Sequence, residues 1–336
     1  MSFSRREFLL SWLASRLLAA QEPVATPKYS SGVNAVNVLV TVRDKQGRAV
    51  ANLTKDDFSL EEDGRPQVIQ YFARQIDAPL KLGLLVETSG NARGNLDAER
   101  RGCHKFVDQA LREGPDQAFL IHFDTQVELL QDLTSSHQEL GKALDGLSLP
   151  VEPPSEKPGR GERGHRRTAV NPGAMLYDAV YLAADEMLRK EQGRKVLILF
   201  SGGEDRGSKV SLSEAIEAAQ RADVQIFSIR FADPGGLGRP TVGIGPIGTG
   251  YPRRAGPDPE EAREVLQRIS SETGGALFET SGSGLDKTFA RIEDELRNQY
   301  SLGYSSDQHG AGYRLIKVTV KRKNLEVQAR EGYYAQ

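Results

Sequence analysis

The stretch Lys81-Leu82-Gly83-Leu84-Leu85-Val86-Glu87-Thr88-Ser89-Gly90-Asn91 is an apolar run that stops at an acidic residue and passes into a small polar loop. Such a run, bounded by turn residues, suits a strand buried on both faces of a parallel sheet. Residues 95–112 then read as a helix. In an open α/β sheet, ligands sit at the carboxyl ends of the strands. Glu87, Ser89 and Asn91 would place three oxygen donors on one short loop there, a set suited to a hard divalent cation such as magnesium.

The alternation continues downstream. Residues 118–123 read as a buried strand, paired antiparallel with 127–133 across Asp124-Thr125. A serine-capped helix follows over 136–147. Residues 172–192 read as a long helix with Pro172 in its first turn and Gly193 at its end. Strands are expected at 195–200, 224–229 and 276–278, and helices at 212–222, 259–273 and 285–298. This order predicts an α/β fold with a doubly wound, mostly parallel sheet covered on both faces.

Both flanks are strand-rich. Val36, Val38, Val40 and Val42 lie on one face of a half-buried strand over 36–43. Thr54 suits the N-cap of a short turn. Residues 58–62 and 67–73 are expected to form a hairpin around Asp63-Gly64, a strong turn dipeptide. This segment buries too little surface to stand alone. Residues 299–304, 313–321 and 325–334 supply three more strands. The two ends are expected to pair into one antiparallel β-sandwich with the central domain inserted in it; the alternative is two separate β-extensions packed on that domain.

The chain has 336 residues, 38% hydrophobic and 27% charged, which is ordinary globular composition with room for two or three domains. A net charge of -2 argues against a strongly basic nucleic-acid binder. The single cysteine, Cys103, excludes an intrachain disulfide, and no histidine has metal-ligand spacing to it. Ser4-Arg5-Arg6-Glu7-Phe8-Leu9-Leu10 is similar to a twin-arginine export signal, with Leu18-Ala19-Ala20 before Gln21 as its cleavage site. Arg16 interrupts the apolar region, and the competing reading is a short amphipathic helix of a cytosolic protein. The export reading places the protein in the periplasm or outside the cell, held at the membrane if the signal stays uncleaved. The expected division is a signal segment 1–20, a linker 21–32, the first sandwich part 33–78, the central domain 79–298 and the second sandwich part 299–336.

The opening motif resembles that of the von Willebrand factor A (VWA) family, whose metal-ion-dependent adhesion site begins Asp-x-Ser-x-Ser after the first strand. Glu87 stands for the Asp, Ser89 matches, and Asn91 stands for the second Ser. The run 195–205, ending Ser201-Gly202-Gly203-Glu204-Asp205, is similar to the family strand ending Ser-Asp-Gly-Glu-Asp. Ala174-Met175-Leu176-Tyr177-Asp178-Ala179 is similar to its Thr-Ala-Leu-Tyr-Asp-Ala. The flanks resemble a bacterial exported subgroup: Asp57-Phe58-Ser59-Leu60-Glu61-Glu62-Asp63-Gly64 fits its Asp-Phe-x-x-x-Glu-Asp-Gly, and Gly332-Tyr333-Tyr334 its closing Gly-Tyr-Tyr. The resemblance implies metal ligands at Glu87, Ser89 and Asn91. Thr168 would stand in for the hydroxyl missing at Ala174, and Glu204 or Asp205 for the carboxylate missing at Gly202. Magnesium demands near-ideal oxygen geometry, so the expectation is a degenerate site that keeps the fold without the ion and uses no cofactor. Occupation by Mg2+ or another divalent cation is the alternative.

Other motifs weigh little. Gly243-Ile244-Gly245-Pro246-Ile247-Gly248 matches a dinucleotide string without the strand and helix it needs, so no nucleotide is expected. The basic run Lys157, Arg160, Arg163, Arg166 and Arg167 has no interleaved aromatics and predicts no nucleic-acid partner. Neither Ser89 nor Ser201 sits in a nucleophile elbow. The expected function is therefore a non-enzymatic, exported binding or adhesion module that meets a protein or cell-surface partner through three loops. These are 88–94 from Thr88 to Gly94, 150–167 from Pro150 to Arg167, and 235–257 from Gly235 to Pro257. The alternatives are an exported enzyme folded around a cofactor and a structural envelope component.

Overall fold

The computed structural model describes residues 35–74, 78–89, 95–148, 174–231, 258–281 and 284–335. The signal-like segment, the linker, Asn91, Thr168 and the loops 150–167 and 235–257 lie outside the described residues, and of loop 88–94 only Thr88 and Ser89 lie within them.

The valine stripe forms β1 (Ala35–Asp44), with Val38, Val40 and Val42 fully buried. Thr54 opens a single 3-10 turn, Lys55–Asp57, and its amide donates to Asp57 Oδ2 at 2.8 Å. β2 (Phe58–Glu62) reverses at Asp63 and Gly64, both with positive φ, into β3 (Arg65–Gln67). That backbone suits Asp-Gly, whose residues tolerate the left-handed region. β4 (Tyr71–Arg74) does not continue the hairpin. The expected strand over 67–73 therefore divides: β3 closes the hairpin, and β4 crosses to the other sheet.

The carboxyl-terminal flank supplies β11 (Tyr300–Ser305), β12 (Gly312–Val320), β13 (Leu325–Ala329) and β14 (Gly332–Ala335). The single strand expected over 325–334 likewise divides, at Arg330 and Glu331. One sheet runs β13-β1-β11-β4 and the other β14-β12-β2-β3. Each mixes strands from both flanks, so the ends make one sandwich rather than two extensions. Its core joins Val38, Val40, Phe58, Leu60, Tyr300, Leu302 and Ile316.

The sandwich also buries charge. Glu62 is 0% exposed. It accepts from Tyr304 at 2.5 Å, Ser306 at 2.6 Å and Tyr333 at 3.2 Å, and pairs with Arg314 at 3.3 Å. Arg314 in turn donates to Ser306 at 2.6 Å. An amino-terminal carboxylate is thus satisfied entirely by carboxyl-terminal groups, as a buried ion must be.

The central sheet comprises β5 (Leu80–Glu87), β6 (Gln117–Phe123), β7 (Val127–Thr134), β8 (Arg194–Phe200), β9 (Val224–Phe231) and β10 (Leu277–Thr280). Its order is β10-β9-β8-β5-β6-β7, parallel except for β7 at the edge. One apolar layer packs it against α1 (Leu96–Ala110), α2 (His137–Asp145) and α6 (Leu285–Arg297). The other packs it against α3 (Leu176–Leu182), which runs on as a π turn over Ala183–Leu188, and against α4 (Leu212–Arg221) and α5 (Pro259–Glu272). Within the described residues α3 begins at Leu176, later than the proline-based reading places it. Ala174 is instead held extended by a bridge to Asp205, and the Met175 amide donates to Asp124 O at 2.7 Å. Among the described residues no helix is long and apolar enough to cross a membrane.

The sandwich meets the amino ends of the parallel strands. Gln299 donates to Gln225 at 2.7 Å, Gln328 to the Gly274 carbonyl at 3.2 Å, and Arg330 pairs with Asp223 at 2.8 Å. Arg43 of β1 pairs with buried Glu295 of α6, and Arg221 of α4 stacks over Tyr334 of β14. The carboxyl-end rim is therefore left clear of the sandwich. Replacing Glu62 by Ala strands Arg314 in the core and should cost about 3–5 kcal/mol in urea unfolding. Lys105→Ala, which breaks an exposed pair with Asp286, should leave the midpoint within error. Equal effects of the two substitutions would refute the closing role of Glu62.

Candidate functional site

β5 and β8 lie side by side with Val86 opposite Phe200, so Glu87 ends one strand beside Ser201, just past the end of the other. Glu87 is 3% exposed. Its Oε1 accepts from the Ser89 hydroxyl, and its Oε2 from Ser201 at 2.7 Å and from the Gly202 amide at 2.9 Å. Ser201 Oγ accepts in turn from the Gly203 amide at 3.0 Å. The extra methylene of glutamate lets the carboxylate reach across to the second loop, and the protein's own hydroxyls and amide clasp it.

The two glycines of that loop differ. Gly203 has φ +91°, and a Cβ there would strike the Ala262 carbonyl, so only glycine fits. Around Gly202 the nearest neighbour of a Cβ is Glu87 Oε2, at 4.0 Å. An aspartate at 202 would thus direct its charge at Glu87. Ala174 is 2% exposed and part of the apolar layer beneath α3. Asp205 accepts from the Tyr177 amide at 3.1 Å and from Ser208 at 2.5 Å, and so anchors the start of α3. Glu204 lies 3.9 Å from Arg206.

The structure thus brings Glu87, Ser89, Ser201 and Gly202 together and leaves Ala174 in the core. Among the described residues of the set that the VWA resemblance implies, both oxygens of Glu87 are engaged, and positions 174 and 202 offer no donor side chain for an ion. Among the described residues no three His, Cys, Asp or Glu side chains gather as a metal centre.

A neighbouring Thr88–His122–Glu128 chain, with both contacts at 3.1 Å, has the residue types of a hydrolytic triad. Thr88 is 0% exposed, so its hydroxyl is withheld from any substrate and fastens the end of β5 to β6.

One group went unseen in the sequence. Glu99, in the first turn of α1, is 4% exposed, and its Oε2 has no hydrogen-bond partner among the described residues. Burial, and then the nearby charge of Glu87, pushes its carboxyl up to about 8. It lines a cavity of about 60 Å3 together with Glu87, Asn95, Phe200, Ser201 and Phe231. The signal was present: Glu99 falls on the stripe Leu96, Cys103, Phe106 and Val107 that α1 buries.

No protein-family model matches the chain, and no curated protein matches it. Among solved structures it is similar to proximal thread matrix protein 1 from the mussel byssus, at 15% identity and a TM-score of 0.48 over 70% of this chain. The chain spans about half of that structure, 51% of its length; another crystal of that protein has a zinc-occupied MIDAS motif. It is also similar to BatB from Bacteroides thetaiotaomicron, at 18% identity and a TM-score of 0.43 over 65% of this chain and 98% of that one. The SpRpn10 VWA domain is similar at 14% identity and a TM-score of 0.37 over 62% of this chain and 93% of that one. These likenesses concern fold alone. The chain's own strand order and helix layers form a mostly parallel α/β domain set in a β-sandwich.

Glu99 gives the site a pH signature. Its folded value of about 8 lies above the ordinary 4.5, so the folded protein holds a proton that the unfolded chain releases between those limits. The stability from this group is fully present below the lower value and is lost as pH rises through the upper one. Glu99→Gln should remove that loss. From about pH 5 to about pH 8 its urea stability should gain on the wild type by up to about 1.4 kcal/mol per unit. A constant difference would show that the carboxyl titrates normally.

Proposed function

We propose that this protein is a non-enzymatic binding or adhesion module that meets a protein or cell-surface partner at the carboxyl-end rim of its VWA-like domain without a metal ion. The observation that carries this reading is the clasp on Glu87. Its oxygens face Ser89, Ser201 and the Gly202 amide, where an adhesion-type site would turn them to the ion. The loops 88–94, 150–167 and 235–257 are the proposed contact surface, because binding residues concentrate on loops that a rigid scaffold positions. The pattern Ser4-Arg5-Arg6-Glu7-Phe8 supports export to the periplasm or beyond. The division at 1–20, 21–32, 33–78, 79–298 and 299–336 belongs to the same proposal.

A ligand that binds only the native state raises the unfolding midpoint by an amount set by its concentration over its dissociation constant. Millimolar Mg2+, Mn2+ or Ca2+ should therefore leave the thermal midpoint where EDTA leaves it. Glu87→Ala, which leaves the donors around it unpaired, should lower the midpoint equally with and without ions. A rise with Mg2+ that disappears in Glu87→Ala would overturn the metal-free reading.

A further inference from the structure

The cavity beside the clasp lies between the carboxyl ends of β5, β8 and β9 and the first turn of α1. Its polar side is acidic. Glu87 is already held by two hydroxyls and an amide, whereas Glu99 is 4% exposed with Oε2 unpartnered among the described residues. Among the described residues no Lys or Arg side chain lines the cavity. The partial positive charge at the start of α1 offsets Glu99 only in part, since such an effect is a fraction of a charge. The other side is aromatic, formed by Phe200 and Phe231. Gly202 is exposed and Asn95 and Phe231 partly so, which leaves the mouth in contact with solvent. A volume of about 60 Å3 admits a few waters or the end of an alkylamine.

These features discriminate among cations. A bare divalent ion wants about six oxygens in fixed geometry, and Glu87 is committed elsewhere. A guanidinium carries five donors on a rigid plane, too many for one unpartnered oxygen and a small cavity. An ammonium has three donors, is attracted to ring faces and carries an apolar stem.

We propose that this cavity is a binding site for a primary alkylammonium group, the end of a lysine side chain on the partner protein, donating to Glu99 and Asn95 with its stem against Phe200 and Phe231. The proposal rests on the rim reading above and adds the partner's chemistry. Here the protein holds the carboxyl, which gives up its proton to solvent as the partner's ammonium binds, so binding strengthens as pH rises toward 8.

The test uses ethylammonium chloride and Nα-acetyl-lysine methylamide as probes of the whole protein, by calorimetry and thermal midpoint, against KCl at equal ionic strength. Both amines should bind saturably and raise the midpoint; tetramethylammonium, with no donors, and the Nε-acetylated lysine amide should not. Glu99→Gln should weaken both amines by about tenfold or more, the worth of a charged hydrogen bond. If that variant fails to fold, Phe231→Leu should weaken them severalfold by removing a ring face. Amines no better than K+, or undiminished in the variants, would overturn the proposal. So would a midpoint raised by Mg2+ through Glu99, or binding of ethylammonium without the lysine amide, which marks a free-amine site. A negative result with amines leaves the rim reading standing, because that reading falls only on the metal and Glu87 measurements.

Discussion

A carboxylate in a protein interior is tolerable only if every lone pair meets a donor, and Glu62 draws all of its donors from residues 304–333. Two tyrosine hydroxyls, a serine and an arginine converge on it, and removing any one leaves the others badly matched. This requirement ties the two flanks of the chain into one body. Once they are tied, the inserted domain enters at Leu80 and leaves after Arg297, both on the sandwich side. The orientation of the rim follows from that. Gln225, Gly274 and Asp223 at the amino ends of the strands are taken up in contacts with the sandwich, so the sandwich sits at the end of the sheet opposite Glu87 and Ser201.

At the rim the same electrostatic rule is solved twice, in different ways. Glu87 is met by neutral dipoles, two hydroxyls and an amide, with no counter-ion among them. Glu99, a helical turn beyond the rim loop, has no such set and retains its proton. The two carboxyls thus sit in one cavity with opposite dispositions, one clasped and one open to a newcomer. The bare backbone at Gly202 fits the same pattern, since an aspartate at 202 would face Glu87 with no cation between them.

Much of the fold was legible because it depends on local rules. The alternation of Val36, Val38, Val40 and Val42, the Asp63-Gly64 turn and the run 195–200 each specify their element almost unaided. The departures arise where tertiary geometry overrides local pattern. Residues 67–73 and 325–334 read as continuous strands, yet each must leave one sheet and enter the other, and nothing within the segment marks the crossing. Pro172 suggested a helix start, but Ala174 is captured by Asp205 from a distant loop. Glu87, Ser89 and Gly202 were read from a motif as neighbours across two loops, and the structure brings them together. Glu99 was not so read, because a single charge on an apolar stripe reads as an imperfection until its burial is seen.

The division of each sandwich sheet between distant parts of the chain also sets an order of events during synthesis. β1 to β4 leave the ribosome first, with an apolar valine stripe and the charge of Glu62 and without the strands that cover them. The central domain can complete its own local contacts meanwhile, but the first strands must wait through its whole length for β11 to β14. Closing so long a loop is entropically slow, though only weakly dependent on added length. Until then the waiting edges invite wrong pairings. A chain interrupted before Arg314 would carry Glu62 without the arginine that pairs with it and without β13 and β14, leaving β1 and β2 with unpaired edges.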